Sequence, residues 1–218
     1  MPEVQPFEME PAIFTNTSIP SVFIDGRYDW GNSFYATTYG PTTILFMNSY
    51  TASHVGSNQY QWVEKELQSI DRKTTPWLFV VVHCPIYNTF AHHQNEAQAK
   101  EFKEAMEPLF VRYHVNIVFS GHEHAYMMSR NIASGSLNED GPQYIIIGDG
   151  GNREGHGSYL SPDKAEKWVL KRDITSFGFG TISIMNSTHS EWKWIKNVDT
   201  LTTEVVHNSV IRNQFYDA

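Results

Sequence analysis

The sequence predicts an α/β fold with parallel strands, and three features predict it. Two apolar, β-branched runs, Trp77-Leu78-Phe79-Val80-Val81-Val82 and Val115-Asn116-Ile117-Val118-Phe119, read as strands buried on both faces. Each closes on a histidine-bearing turn, His83 in the first and Gly121-His122-Glu123-His124 in the second. Helix-periodic segments lie before and between them, giving the strand–helix–strand order that builds a parallel sheet.

Residues 1–32 carry four prolines up to Pro20 and little periodicity, so they read as an irregular segment with one short strand at Val22-Phe23-Ile24. The domain proper is placed at residues 33–210. It opens with a hairpin, because the strand-like runs 33–38 and 42–47 flank Tyr39-Gly40-Pro41. A helix capped at Ser57 or Asn58 follows, with Tyr60, Val63, Leu67 and Ile70 on one apolar face. Phe102, Met106, Leu109 and Tyr113 repeat the helical spacing over residues 95–114, where Pro108 predicts a kink, or a break and restart. After a polar loop at 134–141, Tyr144-Ile145-Ile146-Ile147 reads as another buried strand, ending in Gly148-Asp149-Gly150-Gly151-Asn152. Residues 176–208 alternate apolar and polar and read as antiparallel strands.

The 218 residues suffice for one domain with its own core, and 40% hydrophobic with 14% aromatic residues is a globular composition. A net charge of −8 without any Lys/Arg-rich run argues against a nucleic-acid partner. No run approaches 18 consecutive apolar residues, so no membrane span is expected, and the acidic start lacks the apolar core of a signal peptide. The single cysteine, Cys84, rules out an internal disulfide. Sequons at Asn16-Thr17-Ser18 and Asn186-Ser187-Thr188 are compatible with a secreted glycoprotein.

The candidate chemistry lies in the histidines. Strand ends on the same edge of an open sheet meet, so His83, His122 and His124 can converge there as metal-ligating imidazoles. In an extended loop, His122 and His124, two residues apart, would point to the same side. His92 and His93, just past the first strand, are either a solvated pair or a proton donor and phosphate contact beside a metal. Asp149 is either a metal carboxylate or a turn residue bonded to its own backbone. Cys84 reads as an inert buried thiol. His54, His114, His156, His189 and His207 have no partner spacing and read as structural or surface residues.

These motifs together resemble the purple acid phosphatases, within the calcineurin-like metallophosphoesterases. The resemblance rests on residues 75–88 with His83-Cys84-Pro85-Ile86-Tyr87-Asn88, on Gly121-His122-Glu123-His124-Ala125-Tyr126, and on Ile147-Gly148-Asp149-Gly150-Gly151-Asn152 with Glu154-Gly155. It also includes Ser176-Phe177-Gly178 with Asn186-Ser187-Thr188-His189, and it runs from about residue 33 to 196. It implies part of a metallophosphoesterase β-sandwich flanked by helices, and hydrolysis of small phosphate monoesters. His83 and His122 would hold a divalent zinc or manganese ion, and His124 an iron. His92 and His93 would contact the phosphate, one of them protonating the leaving group. The aspartate of the family's Gly-Asp-Gly-Gly segment is not one of its ligands, and the family is typically secreted or vacuolar.

The family's other ligands come from earlier motifs, Gly-Asp-x-Gly, Gly-Asp-x-x-Tyr and Gly-Asn-His. Here Gly-Asp occurs once, at Gly148-Asp149, and Gly-Asn-His does not occur. Met127 and Met128 stand where many plant members have Glu-Arg, and Phe179 where a histidine is frequent. The sequence therefore reads as the C-terminal half of the catalytic domain. It is expected to hold at most one metal ion and to hydrolyse phosphate esters weakly, or to persist as a metal-, anion- or partner-binding remnant. Its incomplete sheet predicts an uncovered face awaiting a partner chain or a second copy.

Overall fold

The computed structural model describes residues 30–199 and 201–217, so the strand expected at Val22-Phe23-Ile24 and the sequon at Asn16 lie outside the described residues. Among the described residues the first elements are the predicted hairpin, β1 (Tyr35–Tyr39) and β2 (Thr42–Phe46), turned at Gly40 with φ +54°. Helix α1 (Asn58–Ser69) starts at Ser57, whose hydroxyl accepts from the Tyr60 amide. Its buried face is Trp62, Val63 and Leu67, while Tyr60 and Ile70 flank it.

Strand β3 (Trp77–Val82), helix α2 (Ala97–Arg112) and strand β4 (Ile117–Ser120) follow as expected. Helix α2 corrects one expectation, because it runs through Pro108 without a break and restart. A proline inside a helix costs about 3 kcal/mol. Phe102, Met106, Leu109 and Phe110 are all buried from this one helix, at roughly 1.5–3 kcal/mol each, so packing outweighs the lost hydrogen bond. Then come β5 (Tyr126–Ser129), a small hairpin of β6 (Ile132–Ala133) and β7 (Ser136–Leu137), whose second strand falls in the stretch expected as loop at 134–141, and β8 (Gln143–Ile147) and β9 (Val169–Asp173). The chain closes with β10 (Gly178–Ile184), β11 (His189–Asn197), β12 (Thr203–Arg212) and the short α3 (Gln214–Asp217).

Seven strands form one mixed sheet in the order β1-β2-β3-β4-β8-β5-β9, parallel from β2 through β8. Strands β10, β11 and β12 form a separate antiparallel sheet. Side-chain alternation separates two cores. Leu78, Val80, Val82 and Val118 face the two long helices, whereas Trp77, Phe79, Ile117 and Ile145 pack with Trp192, Trp194 and Ile211 of the second sheet. The continuous apolar runs of β3 and β4 are thus explained by burial on both faces. The outer side of the three-stranded sheet exposes Phe179, Met185, Val205 and Val210.

Candidate metal and phosphate site

Both predicted histidine turns lie at the carboxyl edge of the parallel strands. β3 and β4 are in register, and the Gly121 amide donates to the His83 carbonyl at 3.1 Å, which ties the two turns together. The His83 and His122 rings then lie 4.7 Å apart. His93 packs on the other side of His122 at 3.6 Å between ring centroids. His93 (φ +53°) and His122 (φ +67°) adopt left-handed backbone, a conformation that side chains other than glycine and asparagine seldom take and that clusters at functional sites.

The same-side arrangement of His122 and His124 is expected for an extended loop, and that condition is not met. The loop is not extended at His122. Its ring turns toward Glu96, whereas His124 Nδ1 lies 3.6 Å from Glu154 Oε2. The intervening Glu123 points inward and is 1% exposed. Its Oε1 accepts from the Asn88 amide, its Oε2 has no partner among the described residues, and burial raises its pKa. His92, His93, His122 and His124 line a cavity of about 110 Å³ that Glu123, Glu154 and His156 complete. His83 lies outside that lining and is exposed.

The sequence reading missed Glu96. It occupies the N-cap position of α2, yet its carboxylate does not cap the helix. It accepts instead from His93 Nδ1 at 2.8 Å, from His122 Nε2 at 3.2 Å and from Gln98 Nε2 at 2.8 Å. Burial works to raise its pKa, but the two imidazoles prevail and hold it below the usual glutamate value. The available signal was the spacing His93-x-x-Glu96, which brings the two side chains together around the start of a helix. His83 is held below the usual histidine pKa, first by partial desolvation and then by the charges of His122 and His93.

His156, read as structural or surface, lines the cavity and stacks on Phe177 at 4.0 Å. Asp149 is fully buried, and its Oδ2 accepts from Trp194 Nε1 at 2.7 Å, so it braces the second sheet and does not line the cavity. Cys84 is buried as expected, but in unexpected company. Among the described residues, the ligand atoms of Cys84, Glu96 and His122 lie within 4.8 Å of one another. Carboxylate and imidazole donors at one strand edge make a donor set that fits a divalent metal ion.

The family model for calcineurin-like phosphoesterases matches residues 8–126, and that for iron/zinc purple acid phosphatase-like protein C matches residues 141–209. The chain is similar to probable purple acid phosphatase 20 of Arabidopsis thaliana, 40% identical over 79% of this chain and 40% of that protein. It is 35% identical to Fe(3+)-Zn(2+) purple acid phosphatase 12 of the same plant, over 76% of this chain and 37% of the relative. The chain thus spans about 40% of the length of these curated relatives. Among solved structures, purple acid phosphatase PPD1 of yellow lupin shares the fold, with a TM-score of 0.73 at 22% identity over 84% of this chain and 33% of that one.

Proposed function

Because the chain belongs to the calcineurin-like phosphoesterases, and within them to the purple acid phosphatases, we propose that it supplies the histidine-rich half of a site hydrolysing small phosphate monoesters. The observation that carries this reading is the cavity at the strand edge, where His92, His93, His122 and His124 meet. In the proposed roles, His83 and His122 hold a divalent zinc or manganese ion and His124 holds iron. A bound ion would act as a Lewis acid toward a phosphoryl oxygen.

The chain's own residues supply the rest. Glu96 holds His93 through Nδ1, which leaves Nε2 for the phosphate. The His92 ring carries no hydrogen bond among the described residues and is the freer proton donor to the leaving group. Glu123 and Glu154 place negative charge in the same cavity. A phosphate gains there only when imidazolium or metal charge outweighs them.

A second reading is a metal-, anion- or partner-binding module without turnover, holding at most one ion. It is favoured by the upstream Gly-Asp-x-Gly, Gly-Asp-x-x-Tyr and Gly-Asn-His motifs not occurring in this sequence. The exposed Phe179, Met185, Val205 and Val210 support a covering partner chain or second copy under either reading. The test is p-nitrophenyl phosphate hydrolysis at mildly acid pH with added iron, zinc or manganese, beside His122→Ala. Turnover lost in the variant supports the hydrolase. Turnover no higher than the variant's refutes it for this chain and leaves the binding module.

A further inference from the structure

Three ligand atoms of different chemistry meet behind the His122 ring. We propose that Cys84 Sγ, a Glu96 carboxylate oxygen and a His122 ring nitrogen, all within 4.8 Å of one another, bind one zinc-class ion as a sulfur–oxygen–nitrogen site. The donor set differs from the three imidazoles proposed above and shares only His122 with them. It stands on its own atoms and does not rest on the phosphatase reading.

Each ligand is delivered by a fixed piece of backbone. Cys84 follows β3, and its amide donates to Ser49 Oγ at 2.7 Å. Glu96 stands in extended backbone at the start of α2, and His122 is fixed by the left-handed turn of its loop. Tetrahedral coordination at about 2.0–2.3 Å places ligand atoms roughly 3.3–3.8 Å apart. The half-buried Glu96 and His122 side chains therefore need to close by at most about 1.5 Å on the buried Cys84.

The surroundings orient these ligands. Gln98 Nε2 lies 2.8 Å from Glu96 Oε2 and 4.0 Å from Cys84 Sγ, so one amide steadies two of them. His93 Nδ1 holds the other Glu96 oxygen at 2.8 Å. Outer partners of this kind fix ligand orientation in metal sites. One thiolate and one carboxylate neutralise a divalent ion, which removes the penalty of burying either charge alone. Three protein ligands leave a fourth position open, as in catalytic zinc sites, and the sulfur biases the site toward zinc, cobalt or cadmium over magnesium, calcium or manganese. On binding, the thiol proton is released to solvent.

Cobalt(II) titration of the purified, reduced chain tests this, because cobalt reports a bound thiolate through a near-ultraviolet sulfur-to-metal charge-transfer band. The chain has one cysteine, so any such band belongs to Cys84. The expected result is one equivalent of cobalt with that band. Cys84→Ser should abolish the band and weaken binding beyond the roughly 10–100-fold typical of losing an outer partner. Glu96→Gln, at a half-buried position that tolerates change, should weaken binding about as much while leaving the band visible at saturation. No cobalt binding, or binding without the band and unchanged in Cys84→Ser, would overturn the proposal. Binding without the band, unchanged in Cys84→Ser, overturns this site alone, whereas no cobalt binding at all would also count against the divalent ion placed on His83 and His122.

Discussion

Gly148→Ala is a sharp test of how the fold seats the histidine loop. Gly148 directly follows β8 and packs against the Gly121-His122-Glu123-His124 loop. A Cβ there would stand 3.0 Å from the Glu123 carbonyl carbon and 3.4 Å from Gly121 C, with the Glu123 carbonyl oxygen nearer still. These are backbone atoms and cannot rotate away. Ordinary carbon contacts lie at about 3.5–4.0 Å, so the loop must retreat by about 1 Å. Overpacking of this kind costs about 1–3 kcal/mol. At a urea slope of about 2 kcal/mol/M, a 2 kcal/mol loss moves the unfolding midpoint by about 1 M. The same displacement shifts His122, so cobalt affinity should fall at least ~10-fold, comparable to losing an outer metal partner. The control is Gly150→Ala, where a Cβ meets nothing within 4 Å, and both readings should stay near those of the parent chain. An unchanged midpoint and affinity in Gly148→Ala would refute the idea that this close approach positions the loop.

Three further outcomes follow from the packing. Trp194→Phe keeps a ring against Tyr126, stacked at 4.5 Å, but removes the donor to the buried Asp149; it should cost about 1–3 kcal/mol in urea unfolding, and a change under about 0.5 kcal/mol would show that this bond is dispensable. His207 is held below its usual pKa by burial and then by Lys171, while its Nδ1 lies 2.6 Å from the Tyr126 hydroxyl. The fold favours the neutral ring, so its contribution is present above the unfolded value of about 6.5 and is lost as pH falls through the lower folded value. Denaturation at pH 7 and pH 5 should show a smaller drop for His207→Gln, and equal drops would rule this assignment out. Asn213 donates to the Pro76 and Ser187 carbonyls and accepts from Asn116, so Asn213→Ala should cost about 2–3 kcal/mol. Calorimetry should then show a Tm lower by roughly 5–10 °C, and a shift under about 2 °C would contradict the network's importance.

The sequence by itself determined the parallel core and the approach of the two histidine turns. Burial on both faces writes an unbroken apolar run into β3 and β4, and a turn must follow each. The opening hairpin, both long helices and the three closing strands were legible for the same reason, since periodicity is a local record of which side faces the core. Strand β5 was not legible. Tyr126-Met127-Met128-Ser129 has no strand-forming bias, and only pairing with β8 and β9 extends it. At Pro108 the helix is unbroken, because the local cost is overridden by distant contacts. At the site, the histidines announced themselves by type and spacing, whereas Glu96, Glu123 and His156 look ordinary in sequence. What turns Glu96 toward His93 and His122, and both toward Cys84, is the placement of the α2 N-terminus beside two strand ends. That juxtaposition is a product of tertiary packing, because no local rule couples residues 84, 96 and 122.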